Sequence, residues 1–232
     1  MKAATPSLDE ISQKFGTDKS SAHNHYTQYY AKYFEPFRKK PASVLEIGVG
    51  TPEIGMGEAA SLKTWKTYFP SAQIYGLDIN PKCKTYEEER ISIFVGDQGD
   101  ESFLQSVCQQ VPGGFDIVID DGSHWNDHIL TSFKVFFPAV KPSGIYVIED
   151  LGCTYHEKGA NTFHRSDYQN DRKEMDEFFL SLVHAADKRG KFSCADPAKI
   201  PAEKVQELTD YERQIQSIHF YQYCCFVFKG TE

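Results

Sequence analysis

The residues best suited to chemistry fall in one short run, Ile119-Asp120-Asp121-Gly122-Ser123-His124, and in the pair Glu149-Asp150. Carboxylates from Asp121, Glu149 and Asp150 make a hard, all-oxygen donor set suited to Mg²⁺ or a similar ion. Zinc prefers nitrogen and sulfur, and no cysteine falls in either run. His124 follows Asp121 by three residues. It reads as a catalytic base, because nearby carboxylates make an imidazole more basic. His128 lies one helical turn further on and reads as structural support for the site. The alternative is an H-x-x-x-H zinc pair with His124.

These residues need elements to bring them together. From residue 43 onward, short apolar runs alternate with helical ones. The strand-like runs are 43–47, 73–77, 91–95, 115–119 and 144–148, and the helical ones are 59–69, 101–110 and 127–137. That alternation implies right-handed crossovers and a doubly wound α/β domain with a mostly parallel sheet. Two β-rich runs at 214–220 and 223–229 add a hairpin or sequential edge strands, giving a mixed sheet of seven. Ahead of the sheet, 7–15 reads as a helix with a Ser7/Glu10 capping box, ended by Gly16. A second helix, rich in tyrosine and phenylalanine, spans 23–37. Its Tyr29, Tyr30, Tyr33, Phe34 and Phe37 read as core or interface packing. Residues 151–166 read as a long loop. Residues 167–188 read as a helix with a packing stripe of Phe178, Phe179, Leu182 and Val183.

Ligands of open α/β sheets bind beyond the carboxyl ends of the strands. Here those ends carry Glu46, Gly48 and Gly50, then Asp78, then Asp97-Gln98, then Asp120-Asp121, then Glu149-Asp150. Like charges at one edge repel unless cations neutralise them. One cation would be a metal and the other a sulfonium. Glu46-x-Gly48-x-Gly50 differs from a dinucleotide fingerprint, and an acid at that turn suits a cation better than a diphosphate. Asp78 occupies the ribose-hydroxyl position, and Asp97-Gln98 can reach an adenine amino group. The combination favours S-adenosylmethionine over NAD. The candidate cofactor contacts are Glu46, Gly48, Gly50, Asp78, Asp97, Gln98 and Asp120.

Composition sets the outer bounds. The chain has 232 residues, 25 basic and 33 acidic, for a formal net charge of −8. That balance argues against a nucleic-acid or anionic-membrane binder. No apolar run approaches the ~20 residues of a membrane span, and the N-terminus lacks a signal-peptide core. Six cysteines without a C-x-x-C pair, two of them adjacent at 224 and 225, fit free thiols in a cytoplasmic protein.

Several blocks in order resemble a known group. They are F-G-T-D-K at 15–19, H-Y-T-Q-Y-Y at 25–30, L-E-I-G-V-G at 45–50 and S-L-K-T-W-K-T-Y-F-P at 61–70. Y-G-L-D-I at 75–79, G-D-Q at 96–98, I-D-D-G-S-H at 119–124 and I-E-D-L at 148–151 follow. The chain is similar over about 15–155 to the metal- and S-adenosylmethionine-dependent sugar O-methyltransferases of antibiotic biosynthesis, of the macrocin, mycinamicin and novobiocin type. The resemblance implies a Rossmann-like class I methyltransferase fold in a single domain. Residues 1–40 would form a helical cover, 41–150 the cofactor- and metal-binding core, 151–212 a lid or acceptor region, and 213–232 the last strands. It implies Asp121, Glu149 and Asp150 as metal ligands and His124 as general base. It also implies Thr27, Gly48, Ser61, Asp78, Asp97 and Gln98 as cofactor contacts, a glycosylated small-molecule acceptor and a homo-oligomer. Where relatives often carry Gly-Gly before Ser-Leu, this chain has Ala59-Ala60. A catechol-type O-methyltransferase, a metal-dependent hydrolase and a non-catalytic assembly subunit are the alternatives.

Overall fold

A computed structural model of the chain describes residues 5–50, 58–155, 172–188, 201, 203 and 208–231. Residues 51–56 of the glycine-bearing loop, most of 151–166 and Cys194 lie outside this set. The N-terminal cover contains α1 (Leu8–Phe15) and α2 (Thr27–Phe34), the latter continued by a 3₁₀ turn at Glu35–Phe37. Then come β1 (Ser43–Ile47), α3 (Ala60–Tyr68), β2 (Gln73–Asp78), a 3₁₀ helix at Pro81–Tyr86 and β3 (Ile91–Val95). They are followed by α4 (Glu101–Gln110), β4 (Phe115–Asp120), α5 (Asn126–Ala139) and β5 (Val140–Ile148). The chain ends through a 3₁₀ turn at Leu151–Tyr155, α6 (Arg172–Asp187), α7 (Asp210–Gln214), β6 (Ile215–Tyr221) and β7 (Cys224–Lys229).

Local chemistry sets the helix ends. Ser7 and Glu10 make both bonds of a capping box, and Gly16 closes α1 in the left-handed region at φ 75°. Helix α2 is shorter than the tyrosine-rich run suggests. Its N-cap, Tyr26, has no capping side chain, and residues 17–25 are taken up by turns that bond back on themselves. Ala59 precedes α3 at φ 47°, a conformation glycine adopts more cheaply. The Ala59-Ala60 departure therefore falls where a glycine would relieve backbone strain. A second capping box, Thr209 with Glu212, starts α7, an element the hydrophobic pattern does not reveal.

The sheet runs β3-β2-β1-β4-β5-β7-β6. The first five strands pair in parallel, β7 runs antiparallel to β5, and β6 runs antiparallel to β7 at the edge. Side chains alternate across the sheet, and the alternation divides the core in two. Val44, Ile117, Ile119, Ile145 and Val147 pack with α1, α2 and α3, around Tyr30, Phe34 and Trp65. Leu45, Ile47, Val118, Tyr146 and Ile148 pack with α4, α5 and α6, around Phe133, Phe137 and Leu182. Helix α6 buries Phe179 and Leu182 of its expected stripe and leaves Val183 45% exposed.

The same alternation continues into the acids at the strand ends. Glu46 follows Val44, Asp121 follows Ile119, and Glu149 follows Val147, so all three turn to the face covered by the N-terminal segment. Asp120 turns to the opposite face, toward α5.

Candidate active site

Asp120 supports the site from behind. Its carboxylate accepts from Gln98 Nε2 at 2.7 Å, from Tyr146 Oη at 3.1 Å and from the Ser132 hydroxyl. Burial pushes its pKa up to about 6, against the lowering effect of those bonds. Because the folded value exceeds the ordinary 3.8, Asp120 contributes stability below about pH 4 that is lost as pH rises through about 6. A displacement of that size corresponds to on the order of 3 kcal/mol. Denaturant titrations of metal-free protein between pH 4.5 and 7 should therefore fall less steeply for Asp120→Asn than for the wild type. Parallel curves would refute the assignment.

The opposite face carries the acids of the site and their partners from the cover. Lys19 reaches in from the turn after α1. Its ammonium contacts Asp121, lies 2.9 Å from Glu149 Oε2 and stands 3.6 Å from Glu46 Oε1. Tyr30 donates to Glu149 Oε1, and Tyr26 donates to Asp150 Oδ1 at 2.5 Å. Burial works against the Lys19 charge, but Asp121, Glu149, Asp18 and Glu46 outweigh it and hold its pKa well above the usual value. Burial raises the Asp121 and Glu149 carboxyls, Glu149 to about 8, and Lys19 opposes the rise.

One oxygen of Asp121 and one of Asp150 are thus taken by the cover. The others turn toward His124, whose Nε2 stands 3.9 Å from Asp121 Oδ1 and 3.7 Å from Asp150 Oδ2. Asp121, His124 and Asp150 each offer a ligand atom, all within 4.8 Å of one another. His124 and Asp150 hold left-handed backbone at φ 59° and 52°. Such conformations cost on the order of 1–3 kcal/mol each and gather where geometry serves function. Two carboxylate oxygens and an imidazole nitrogen suit a small divalent cation. Cys153 and Cys224 lie near enough to feel Asp150. Burial chiefly pushes them up to about 11 and about 12, so they remain thiols and are poor zinc ligands.

The expected site residues divide into those that face this centre and those that brace it. Asp121, His124 and Asp150 converge. Glu149 has both oxygens on Lys19 and Tyr30, because strand alternation turns it to the cover. Glu46 is fully buried, facing Lys19, so the cation beside that turn is the chain's own lysine. Gln98 spends its amide on Asp120, Ser132 and the Ser123 N–H. Thr27 is buried and donates to Asp9 at 2.7 Å, and Ser61 is buried at the start of α3. His128 braces the turn through Ser123 at 3.0 Å and packs on Trp125.

At the neighbouring strand ends Asp78 ties down the glycine loop, accepting from the Val49 and Gly50 N–H groups at 2.9 and 3.2 Å. Gly48 (φ 86°) and Gly50 (φ 72°) make the turn. Asp97 keeps a half-exposed carboxylate. Ile79, directly after Asp78, is 67% exposed, an apolar face beside the acid that a flat base can cover. The sequence reading missed Ile79. Its signal was an aliphatic residue directly after the strand-end acid.

No protein-family model matches the chain. The mycinamicin VI 2''-O-methyltransferase of Micromonospora griseorubida is 37% identical over 228 residues, 97% of this chain and 53% of that protein. The demethylmacrocin O-methyltransferase of Streptomyces fradiae is 36% identical over 232 residues, 99% of this chain and 54% of that protein. The crystal structure of MycE methyltransferase in complex with Mg, SAH and mycinamycin VI superposes with a TM-score of 0.77 at 35% identity. It covers 99% of this chain and 56% of MycE. Over nearly its whole length the chain is similar to these sugar O-methyltransferases of natural-product biosynthesis. It spans about half the length of the curated relatives it matches. The chain has a seven-stranded mixed sheet, with Asp121, His124 and Asp150 at its carboxyl edge. Among the described residues no helix is long and apolar enough to cross a membrane.

Proposed function

We propose that the chain is an S-adenosylmethionine- and Mg²⁺-dependent O-methyltransferase acting on a hydroxyl of a sugar or glycosylated natural product. The observation that carries this reading is the convergence of His124 Nε2 with Asp121 Oδ1 and Asp150 Oδ2 beside the glycine loop. Similarity along nearly the whole chain to sugar O-methyltransferases supports it. When bound, the cofactor supplies the methyl group and the divalent ion lowers the pKa of the hydroxyl it chelates.

This chain's residues do the rest. Asp121 and Asp150 would hold the ion, with Glu149 holding Lys19 and Tyr30 just behind them. His124 takes the acceptor proton at Nε2. Asp78 receives ribose hydroxyls, Ile79 covers the base, and Asp97 accepts from its amino group. Gly48 and Gly50 let the backbone pass close by. Residues 1–232 would act as one methyltransferase domain, with 1–40 as cover and 151–212 on the acceptor side. The five free cysteines among the described residues fit a reducing cytoplasm. A homo-oligomer follows from the family resemblance, and sedimentation velocity checks it.

The test combines calorimetry with S-adenosylmethionine and transfer of labelled methyl to glycosides and catechols, with and without EDTA. Cofactor binding, glycoside methylation and its loss in EDTA are expected. Full activity in EDTA, or methylation of catechols alone, would overturn the reading.

A further inference from the structure

Lys19 takes no part in the reaction described above, yet it brings a charge into the centre of the site. The residue is 1% exposed. Its turn is fixed before the side chain is considered. The Lys19 carbonyl accepts from Thr27 N at 3.0 Å, the Asp18 carbonyl from Asn24 N at 2.8 Å, and the Asp9 carboxylate from Ser21 N at 2.7 Å. From that scaffold the ammonium meets carboxylates from three different strand ends: Glu46, Asp121 and Glu149. An ammonium has three N–H donors and no acceptor, which suits three acids around one point. Glu46 is fully buried, and Lys19, 3.6 Å away, is the positive charge that answers it.

We propose that the Lys19 ammonium is a resident counterion, occupying the inner carboxylate cage that would otherwise take a second divalent cation. The inference rests on the metal-dependent reading above and deepens it. Lys19 is then a positioning residue: it holds one oxygen of Asp121, fixes Glu149 and leaves Asp121 Oδ1 and Asp150 Oδ2 for a single ion. Formal charge agrees. With all four ionised around the bound cations, Glu46, Asp121, Glu149 and Asp150 would be balanced by one ammonium, one divalent ion and one sulfonium. A second divalent ion in place of the ammonium would leave the centre with an excess positive charge during methyl transfer. Paired-metal sites hold two ions at close quarters to clamp attacking and leaving oxygens. A methyl transfer to one hydroxyl needs only one such clamp.

The test counts ions rather than turnover. Mn²⁺ is titrated into cofactor-free protein, and the free ion is followed by electron paramagnetic resonance. The wild type is expected to bind one Mn²⁺ per chain and Lys19→Ala two. If Lys19→Ala binds one ion with wild-type affinity, or if the wild type binds two, the inference is overturned. If the wild type binds none and Lys19→Ala binds one, the inference stands while the metal part of the proposed function falls. Should Lys19→Ala fail to fold alone, its refolding yield is compared in Mn²⁺ and in EDTA. Recovery only in Mn²⁺ supports a cation cage, and no recovery in either buffer refutes it.

Discussion

His124→Ala is expected to slow methyl transfer roughly 10²–10⁴-fold while changing S-adenosylmethionine affinity by no more than about twofold. The residue sits on the turn between β4 and α5, held at φ 59°, with its side chain one-fifth exposed. Removing the imidazole ring would leave the glycine loop, Asp78 and Ile79 untouched, so cofactor binding should survive. The loss should fall on the proton-transfer step. Because Nε2 lies as close to the carboxylates as a ligand would, Mn²⁺ affinity separates two roles. A base leaves that affinity intact and removes one limb of the pH–rate profile. A ligand costs metal binding outright. An unchanged rate would sink both roles.

Gly48→Ala should cost on the order of 4 kcal/mol, and more if the sheet cannot shift. Two independent terms add. The backbone is at φ 86°, where an alanine is strained by roughly 1–2 kcal/mol. A Cβ would also lie 2.0 Å from the Asp121 carbonyl oxygen and 2.9 Å from the Gly122 Cα. Those atoms are backbone, tied to β1 by the Asp121 N–H bond to the Ile47 carbonyl at 3.0 Å, and cannot rotate away. The melting temperature should drop by roughly 10 °C. Gly16→Ala is the control, because Gly16 shares a positive φ of 75° but has nothing within 4 Å of the added carbon. It should lose only the strain term. Equal melting temperatures for the two variants would refute the clash.

Much of this arrangement was legible in the residues because it depends on short-range rules. Strand ends could be read from Asp78, Gly96-Asp97, Asp120-Asp121 and Glu149-Asp150, because each of these stops an apolar run. Capping of α1 followed from Ser7, Glu10 and Gly16. What alternation does to neighbouring acids was less visible. Asp120 and Asp121 look alike in sequence, yet they fall on opposite faces of the sheet and meet different partners. Gln98 looked open to a base and is instead bound to Asp120. Lys19 was hidden for another reason. A loop lysine is ordinarily exposed, and its partners Asp121 and Glu149 are 102 and 130 residues further along. Its only signal was its place in the F-G-T-D-K block.

The strand order also bears on how the chain is made. Strand β7, near the C-terminus, is interior: it separates β5 from β6 and pairs with both. Until residues 224–229 leave the ribosome, β5 keeps a bare edge carrying Ile145, Val147 and Ile148, a ready template for another chain. A message truncated before residue 224 would therefore yield a sticky open sheet rather than a slightly shortened enzyme. Aggregation of such fragments should precede any question of whether they methylate.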